Sequence, residues 1–216
     1  MSSRSNPRLW DKSYLVLYEL NKDITHSISH EIPVGVIKDI ILDIGCGTKP
    51  YNDLFQEKSE SYIGVDLQKS PDLDILCSAE KLPFKNNSVD LVFSSQVLEH
   101  VENPNLVINE MHRVLKDKGV VVLSTHGIWN KHTDYDYWRW TDRGLLKIFS
   151  QFKDVKIKCN GGTVLCFFQI LNLYIAFFPI GKKVLWSCSN VLGRILDKIF
   201  HYERYLIINY LVIAKK

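Results

Sequence analysis

The sequence predicts an α/β fold, a mostly parallel sheet covered on both faces by helices. Short aliphatic runs recur from residue 40 onward, and segments with helical apolar spacing lie between several of them. The runs read as interior strands, which belong to a parallel sheet buried on both sides. A chain of 216 residues, 46% hydrophobic and 24% charged, is long enough to bury such a core as one domain with an appendage.

Taken in order, residues 9 to 30 carry Leu9, Trp10, Tyr14, Leu15, Leu17, Tyr18 and Leu20 at roughly helical spacing, an N-terminal helical segment over 1–35. Ile40–Ile44 is the first strand, Tyr62–Leu67 the second, Leu73–Leu76 a short third and Val89–Ser94 the fourth. In "NPNLVINEMHRVLKDKG", Asn103 is placed to cap a helix and Pro104 suits its first position. Val107, Met111, Val114 and Leu115 form its apolar face, Gly119 can take the left-handed closing position, and Arg113 is expected to pair with Asp117 at i+4. Val120–Thr125 is the fifth strand. Thr141 caps a helix through Phe149, Val155–Cys159 is the sixth strand, and residues 205–214 (YLIINYLVIA) the seventh. Residues 163–201 stand apart as a hydrophobic insertion. A nearly unbroken apolar stretch ends at Gly181, and a second segment then shows a clear helical face, so the section reads as helix, break, helix.

Composition narrows the function classes. The formal charge of +3 is mild and Lys and Arg are not clustered in a run, which argues against a nucleic-acid partner. Cys46, Cys77, Cys159, Cys166 and Cys188 lie far apart without a C-x-x-C pair, so neither a metal site nor a disulfide framework is expected and the default compartment is the cytoplasm. The opening MSSRSNPRLWDKSY has no apolar core of a secretory signal.

The stretch "ILDIGCGTKPY" carries the chemistry. Asp43 sits in an aliphatic strand, where a carboxylate is costly unless partnered. Gly45 and Gly47 then form the turn above the strand's carboxyl end, where ligands of doubly wound sheets dock. A pyrophosphate fingerprint needs a third glycine and a helix opening; this chain has Pro50 instead, and Asp43 would repel phosphate. An acid there suits a cationic ligand. Asp66, 19 residues past Gly47, stands where an acid accepts ribose hydroxyls. A nucleoside with a cationic tail fits both acids, and S-adenosylmethionine is such a molecule.

The pieces "ILDIGCGT", "YIGVDL", "AEKLPFKNNSVDLVFSSQVLEHV", "NEMHRVLKDKGVVVLSTH" and "DYWRWTDRGLL", in this order over roughly residues 36 to 155, resemble a class I S-adenosylmethionine-dependent methyltransferase. The resemblance is to methyltransferase type 11, the broad group that includes ubiquinone/menaquinone-biosynthesis enzymes. "GCGTKPY" is similar to members found among cell-surface polysaccharide methyltransferases. It implies a Rossmann-like, seven-stranded, doubly wound sheet with an antiparallel last strand, formed by 36–162 and 202–216. It further implies that Asp43, Gly45, Cys46 and Gly47 hold the methionine part and Asp66 and Leu67 the ribose. Ser78, Ala79 and Glu80 would lie along the adenine, and Ser95 and Gln96 would close the pocket. Ser78 departs from the pattern, since many relatives place an Asp there for the adenine amino group.

Candidate catalytic groups follow the fourth and fifth strands. Glu99 and His100 of "LEH" border the active site in the family; Glu99 could equally cap a helix. "HGIWNKHTDYDYWRW" packs His126, His132, Asp134, Asp136, Arg139 and five aromatic residues into 15 positions. Histidines or carboxylates there can take a hydroxyl proton, with His126 and His132 the first candidates and Asp134 or Asp136 orienting, while aromatic rings can stack on a sugar or enclose an apolar acceptor. The expected reaction is methylation of an oxygen on a saccharide or lipid-linked small acceptor, with no metal. C-methylation of a quinone-type precursor and a non-catalytic cofactor-binding scaffold are the rivals. For 163–200 three accounts compete: a membrane span, a hairpin lying on the inner face of the membrane, and a lid or homodimer face.

Overall fold

Successive residues of the central strands point into two different cores, and this places helices on both sides. In the computed structural model, which describes residues 4–32, 37–55, 58–200 and 205–216, β1 (Ile40–Ile44) sends Ile41 to one core and Leu42 and Ile44 to the other. β4 (Val89–Ser95) divides Leu91 and Phe93 from Val92, β5 (Leu115–His126) divides Val120 and Val122 from Val121 and Leu123, and β7 (Asn209–Lys215) divides Leu211 and Ile213 from Val212 and Ala214. Continuous aliphatic runs are the consequence of two buried faces.

The sheet is seven-stranded, ordered β3-β2-β1-β4-β5-β7-β6, with β2 Ser61–Asp66, β3 Ile75–Leu76 and β6 Lys153–Asn160. β1 to β5 are parallel, and β7 runs antiparallel to both β5 and β6. One face is covered by α1 (Tyr14–His26), whose Leu20 and Ile24 meet Ile41, Leu91 and Phe93, with the short α2 (Asn52–Phe55) beside it. The other is covered by α3 (Pro104–Val114) and α4 (Asp142–Ile148) through Val107, Ile108, Met111 and Leu145. α5 (Thr163–Ile175) and α6 (Lys182–Ile199) form the hairpin, broken at Gly181 with φ 74°. Both predicted caps exist: Leu106 N donates to Asn103 Oδ1 (3.4 Å) and Gly144 N to Thr141 Oγ1 (3.1 Å).

Two local expectations are corrected. α3 ends at Val114, and Leu115 already has extended backbone, so β5 starts there. Its pairing with β4 shifts register between Val89 and Leu91, and this irregularity absorbs 116–119. The left-handed residue is Lys118 (φ 68°) rather than Gly119; a Cβ on Gly119 would meet Asp90 O at 3.0 Å. Arg113 does not pair with Asp117. Its guanidinium grips Glu110, one turn back, and donates to the carbonyls of Phe84 and Leu82, tying the 82–86 loop to α3. The strand acid Asp90 is also accounted for: it accepts Asp39 N and Ile40 N, each at 2.8 Å, and Lys116 at 2.9 Å. Burial alone would raise its carboxyl, but these donors hold it low.

Candidate active site

The parallel strands end together, and the turn after β1 is shaped by two glycines with different tasks. Gly45 (φ 71°) lies against Val97, where a Cβ would stand 2.2 Å from Cγ2. Gly47 (φ 52°) has nothing within 4 Å of a Cβ position, so only its side faces open space. Gly47 therefore leaves room at the turn, whereas the Cβ side of Gly45 is packed on protein. Cys46 between them is buried, and burial pushes its thiol up to about 12, leaving it unionised.

Asp43 has the partner its burial demands. Tyr62 Oη donates to its Oδ2 at 2.5 Å from the neighbouring strand. Burial raises its carboxyl to about 7, against the pull of Tyr62, Arg4 and Lys49. Asp66 holds the turn, accepting Gly47 N at 3.0 Å on Oδ2 and Gln68 N at 2.9 Å on Oδ1. Leu67 beside it is 69% exposed. Ser78 and Glu80 do local work: Glu80 N donates to Ser78 Oγ (3.1 Å), and Glu80 Oε1 accepts Asn103 N (3.0 Å) from the start of α3. Ala79 is buried in the core. Ser95 and Gln96 close β4, with Ser124 Oγ donating to Ser95 Oγ at 3.1 Å and Gln96 in a left-handed conformation, φ 60°.

Glu99 and His126 meet at the base of the 126–140 loop. Glu99 sits in the 3-10 turn Leu98–His100, fully buried; its Oε2 accepts Thr125 Oγ1 at 2.8 Å, and its Oε1 lies 3.5 Å from His126 Nε2. Burial raises the Glu99 carboxyl and lowers the His126 imidazole to about 3. The reading of Glu99 as a helix cap does not hold, because its side chain turns into the site.

The register of three strands decides which His126 nitrogen carries the proton. Asn209 lies opposite both His126 on β5 and Asn160 on β6. Asn160 Nδ2 donates to Asp23 Oδ2 at 2.8 Å, Asn209 Nδ2 to Asn160 Oδ1 at 3.3 Å, and His126 Nδ1 to Asn209 Oδ1 at 2.8 Å. A carboxylate only accepts, so each amide must point its oxygen the same way along the chain. His126 is therefore the Nδ1–H tautomer, with the Nε2 lone pair facing Glu99.

The remaining loop residues divide. His132 packs edge-on to His126 (5.8 Å) and to His100 (5.0 Å), and its Nδ1 is 3.1 Å from Asp136 Oδ2. His100 Nδ1 donates to Tyr135 O at 2.8 Å. The Arg139 guanidinium grips Asp136 through two bonds, 2.5 and 2.7 Å, and holds that carboxyl well below the usual range. Asp134 is exposed to solvent. Trp129 stacks on His126 at 4.9 Å and packs into the cluster shared by α1 and α5.

Sequence reasoning missed Arg4, Tyr62, Thr125, Asn160 and Asn209. Arg4 Nη2 donates to Ser95 O at 3.2 Å, Asn21 Nδ2 fastens its backbone carbonyl to α1 (2.8 Å), and its charge acts on Asp43, Glu99 and His126. A cation from the chain thus stands among the strand-end acids. Tyr62 carried a signal, being the one polar aromatic on a strand adjacent to Asp43. Asn160 and Asn209 carried none, because only strand order brings them together.

The residues fit S-adenosylmethionine on donor chemistry. Gln96 Oε1 and Glu99 Oε1 are buried acceptors that no donor among the described residues reaches, and the space beside Gly47 is open. Acceptors and acids around a glycine turn suit an ammonium, a sulfonium and ribose hydroxyls. A cleft of about 490 Å³ on the outer side of the turn, between Ser5, Lys49, Asp53 and Asp74, contains none of these groups.

Comparison with known proteins points the same way. The family model described as a methyltransferase domain matches residues 42–123. An uncharacterized methyltransferase of Mycobacterium tuberculosis is 36% identical over 117 residues, covering 49% of this chain and 43% of its own. An uncharacterized protein of Methanocaldococcus jannaschii is 33% identical over 218 residues, covering 90% and 82%. The crystal structure of a SAM-dependent methyltransferase from Archaeoglobus fulgidus superposes with TM-score 0.59 at 18% identity, covering 90% of this chain and 94% of that one. The phosphoethanolamine N-methyltransferase 2 of Haemonchus contortus, solved with S-adenosyl-L-methionine, gives 0.58 at 16%, covering 100% and 60%. The match spans less than half the length of the mycobacterial relative, and at these identities the solved structures speak for the fold alone.

Proposed function

The chain belongs to the class I S-adenosylmethionine-dependent methyltransferases, and from that premise we propose that it methylates an oxygen of a saccharide or lipid-linked small acceptor. The observation that supports this most is the buried Glu99–His126 pair beneath an aromatic loop. Asp43, Gly45, Cys46 and Gly47 would hold the methionine part, Asp66 and Leu67 the ribose, and Ser78, Ala79 and Glu80 the adenine, with Ser95 and Gln96 closing the pocket.

The cofactor, when bound, supplies an electrophilic methyl group and leaves as S-adenosylhomocysteine. The chain must hold the acceptor oxygen in line, exclude water and receive one proton. His126 Nε2 receives it: its Nδ1 is already protonated and bonded to Asn209, so Nε2 is the open position. Burial weakens the imidazole as a base, but the resulting imidazolium would stand 3.5 Å from Glu99, turning a costly buried carboxylate into an ion pair. His132 packs between His126 and His100, and the Arg139–Asp136 pair braces the loop beside them.

The test is to incubate the purified protein and methyl-labelled S-adenosylmethionine with aqueous and organic extracts of the source cells, then locate the label by mass spectrometry. An O-methyl group on a saccharide or lipid-linked product supports the proposal. Label on a ring carbon would establish the quinone reading instead, and cofactor binding without any labelled product would establish the scaffold reading.

A further inference from the structure

The α5–α6 hairpin is turned inside out. A helix packed on a protein in water buries its apolar stripe and exposes its polar one. Here α6 buries Ser189, Asn190 and Gly193, while Val184, Val191 and Ile195 are exposed. α5 buries Gln169 and Asn172 along with its inner apolar residues. Polar bonds fasten the inner side: Asn172 Nδ2 donates to Asn190 Oδ1 (2.7 Å), Asn190 Nδ2 to Leu9 O (2.7 Å) and Gln169 Nε2 to Lys12 O (3.0 Å). The outer side is apolar, and at its tip Phe177 is 84% and Ile180 83% exposed.

Charge and length identify the occupant. From Thr163 to Phe200 there are four basic residues (Lys182, Lys183, Arg194, Lys198) and one acid (Asp197), a surplus equal to the +3 of the whole chain. Arg194 is turned inward onto Tyr14 and Tyr18, whereas Lys182 and Lys183 follow the apolar tip directly and form no ion pair among the described residues. A second copy would bring the same positive surplus to the contact; an anionic surface complements it. α5 has 13 residues, and no described helix is long and apolar enough to cross a membrane, which removes the spanning account.

We propose that the outer face of α5–α6 docks on an anionic bilayer surface, with Phe177, Phe178 and Ile180 entering the acyl boundary and Lys182 and Lys183 at headgroup level. Trp129 of the acceptor loop packs in the same cluster as Val164 and Leu165 of α5, so docking places the loop beside the membrane. The inference goes beyond the methyl-transfer reading and stands whether or not the acceptor is a lipid.

Flotation of the full chain with vesicles tests it, using phosphatidylcholine alone and phosphatidylcholine with phosphatidylglycerol at three to one. The parent protein is expected to float with the anionic vesicles and not with the neutral ones. The double variants Phe177→Ser/Phe178→Ser and Lys182→Glu/Lys183→Glu should each lower partitioning at least about tenfold while keeping the parent's circular dichroism and melting temperature. Phe177, Phe178 and Lys183 are exposed and Lys182 is half-buried, so the melting temperature reports directly whether each variant keeps the fold. Failure to float with either vesicle, equal flotation with both, or variants that bind like the parent would overturn the proposal. So would a dimer in sedimentation equilibrium that the phenylalanine variant dissolves while vesicle binding is absent.

Discussion

Asp43 is an acid kept in the core at a cost to stability. Its carboxyl titrates near 7 in the folded chain, against about 3.9 when unfolded, because burial penalises the charge. The folded state therefore binds the extra proton between those values, and this group's contribution to stability falls as pH rises from about 4 to 7. Replacement by Asn keeps a partner for Tyr62 without the charge. Asp43→Asn should gain roughly 1–3 kcal/mol in urea melts at pH 8 and lose at least about tenfold in S-adenosylmethionine affinity. A variant less stable at that pH, or binding normally, would contradict the assignment. His126 allows a second test, in which Asp23 acts as a positioning residue through two amides. Ring nitrogen-15 shifts of His126 should show Nδ1 protonated and Nε2 bare at neutral pH. Asp23→Asn, which can donate as well as accept, should mix the tautomers; an unchanged spectrum would remove Asp23 from the relay. Asp43 and Asp66 were legible in the sequence because spacing to a glycine turn places them. Glu99 was legible only as one of two roles, since nothing local tells a turn carboxylate which way to point.

The turn after β1 separates packing from binding. At Gly45 a methyl group meets both a left-handed backbone and Val97 at 2.2 Å, so Gly45→Ala should cost roughly 2–4 kcal/mol in denaturant unfolding. At Gly47 a methyl group meets only the backbone preference, about 1 kcal/mol, and projects into the open crevice. Gly47→Ala should leave a well-folded protein with weakened cofactor binding; equal effects of the two substitutions would contradict this division. Strand and helix identities were largely legible from aliphatic runs and from caps such as Asn103 and Thr141. The end of α3 was not, because Gly119 reads as a helix terminator and only pairing with β4 draws Leu115 into the sheet. The Asp23–Asn160–Asn209 chain was equally invisible, as it depends on β7 entering between β5 and β6.

At the scale of the whole molecule, one sheet carries Asp43 and Asp66, the acids proposed to hold the cofactor, on β1 and β2, and Glu99 and His126, the proposed proton-accepting pair, at the ends of β4 and β5. Arg4 bridges the halves by reaching Ser95 from the N-terminal segment, and the hairpin leans on the 126–140 loop through Trp129. The alternation of runs made this architecture legible; the orientation of the hairpin was not, since an apolar stripe reads the same whether it faces a core or a membrane. The paired acids at the ends of β1 and β2 are the centre of the account, and titration calorimetry tests them most directly. The parent chain should bind one equivalent of S-adenosylmethionine at pH 7 and release protons, because a cation beside Asp43 favours its carboxylate. Asp66→Ala should weaken that binding at least about tenfold, at roughly 1.4 kcal/mol or more. Heat evolved with NAD and none with S-adenosylmethionine would contradict it.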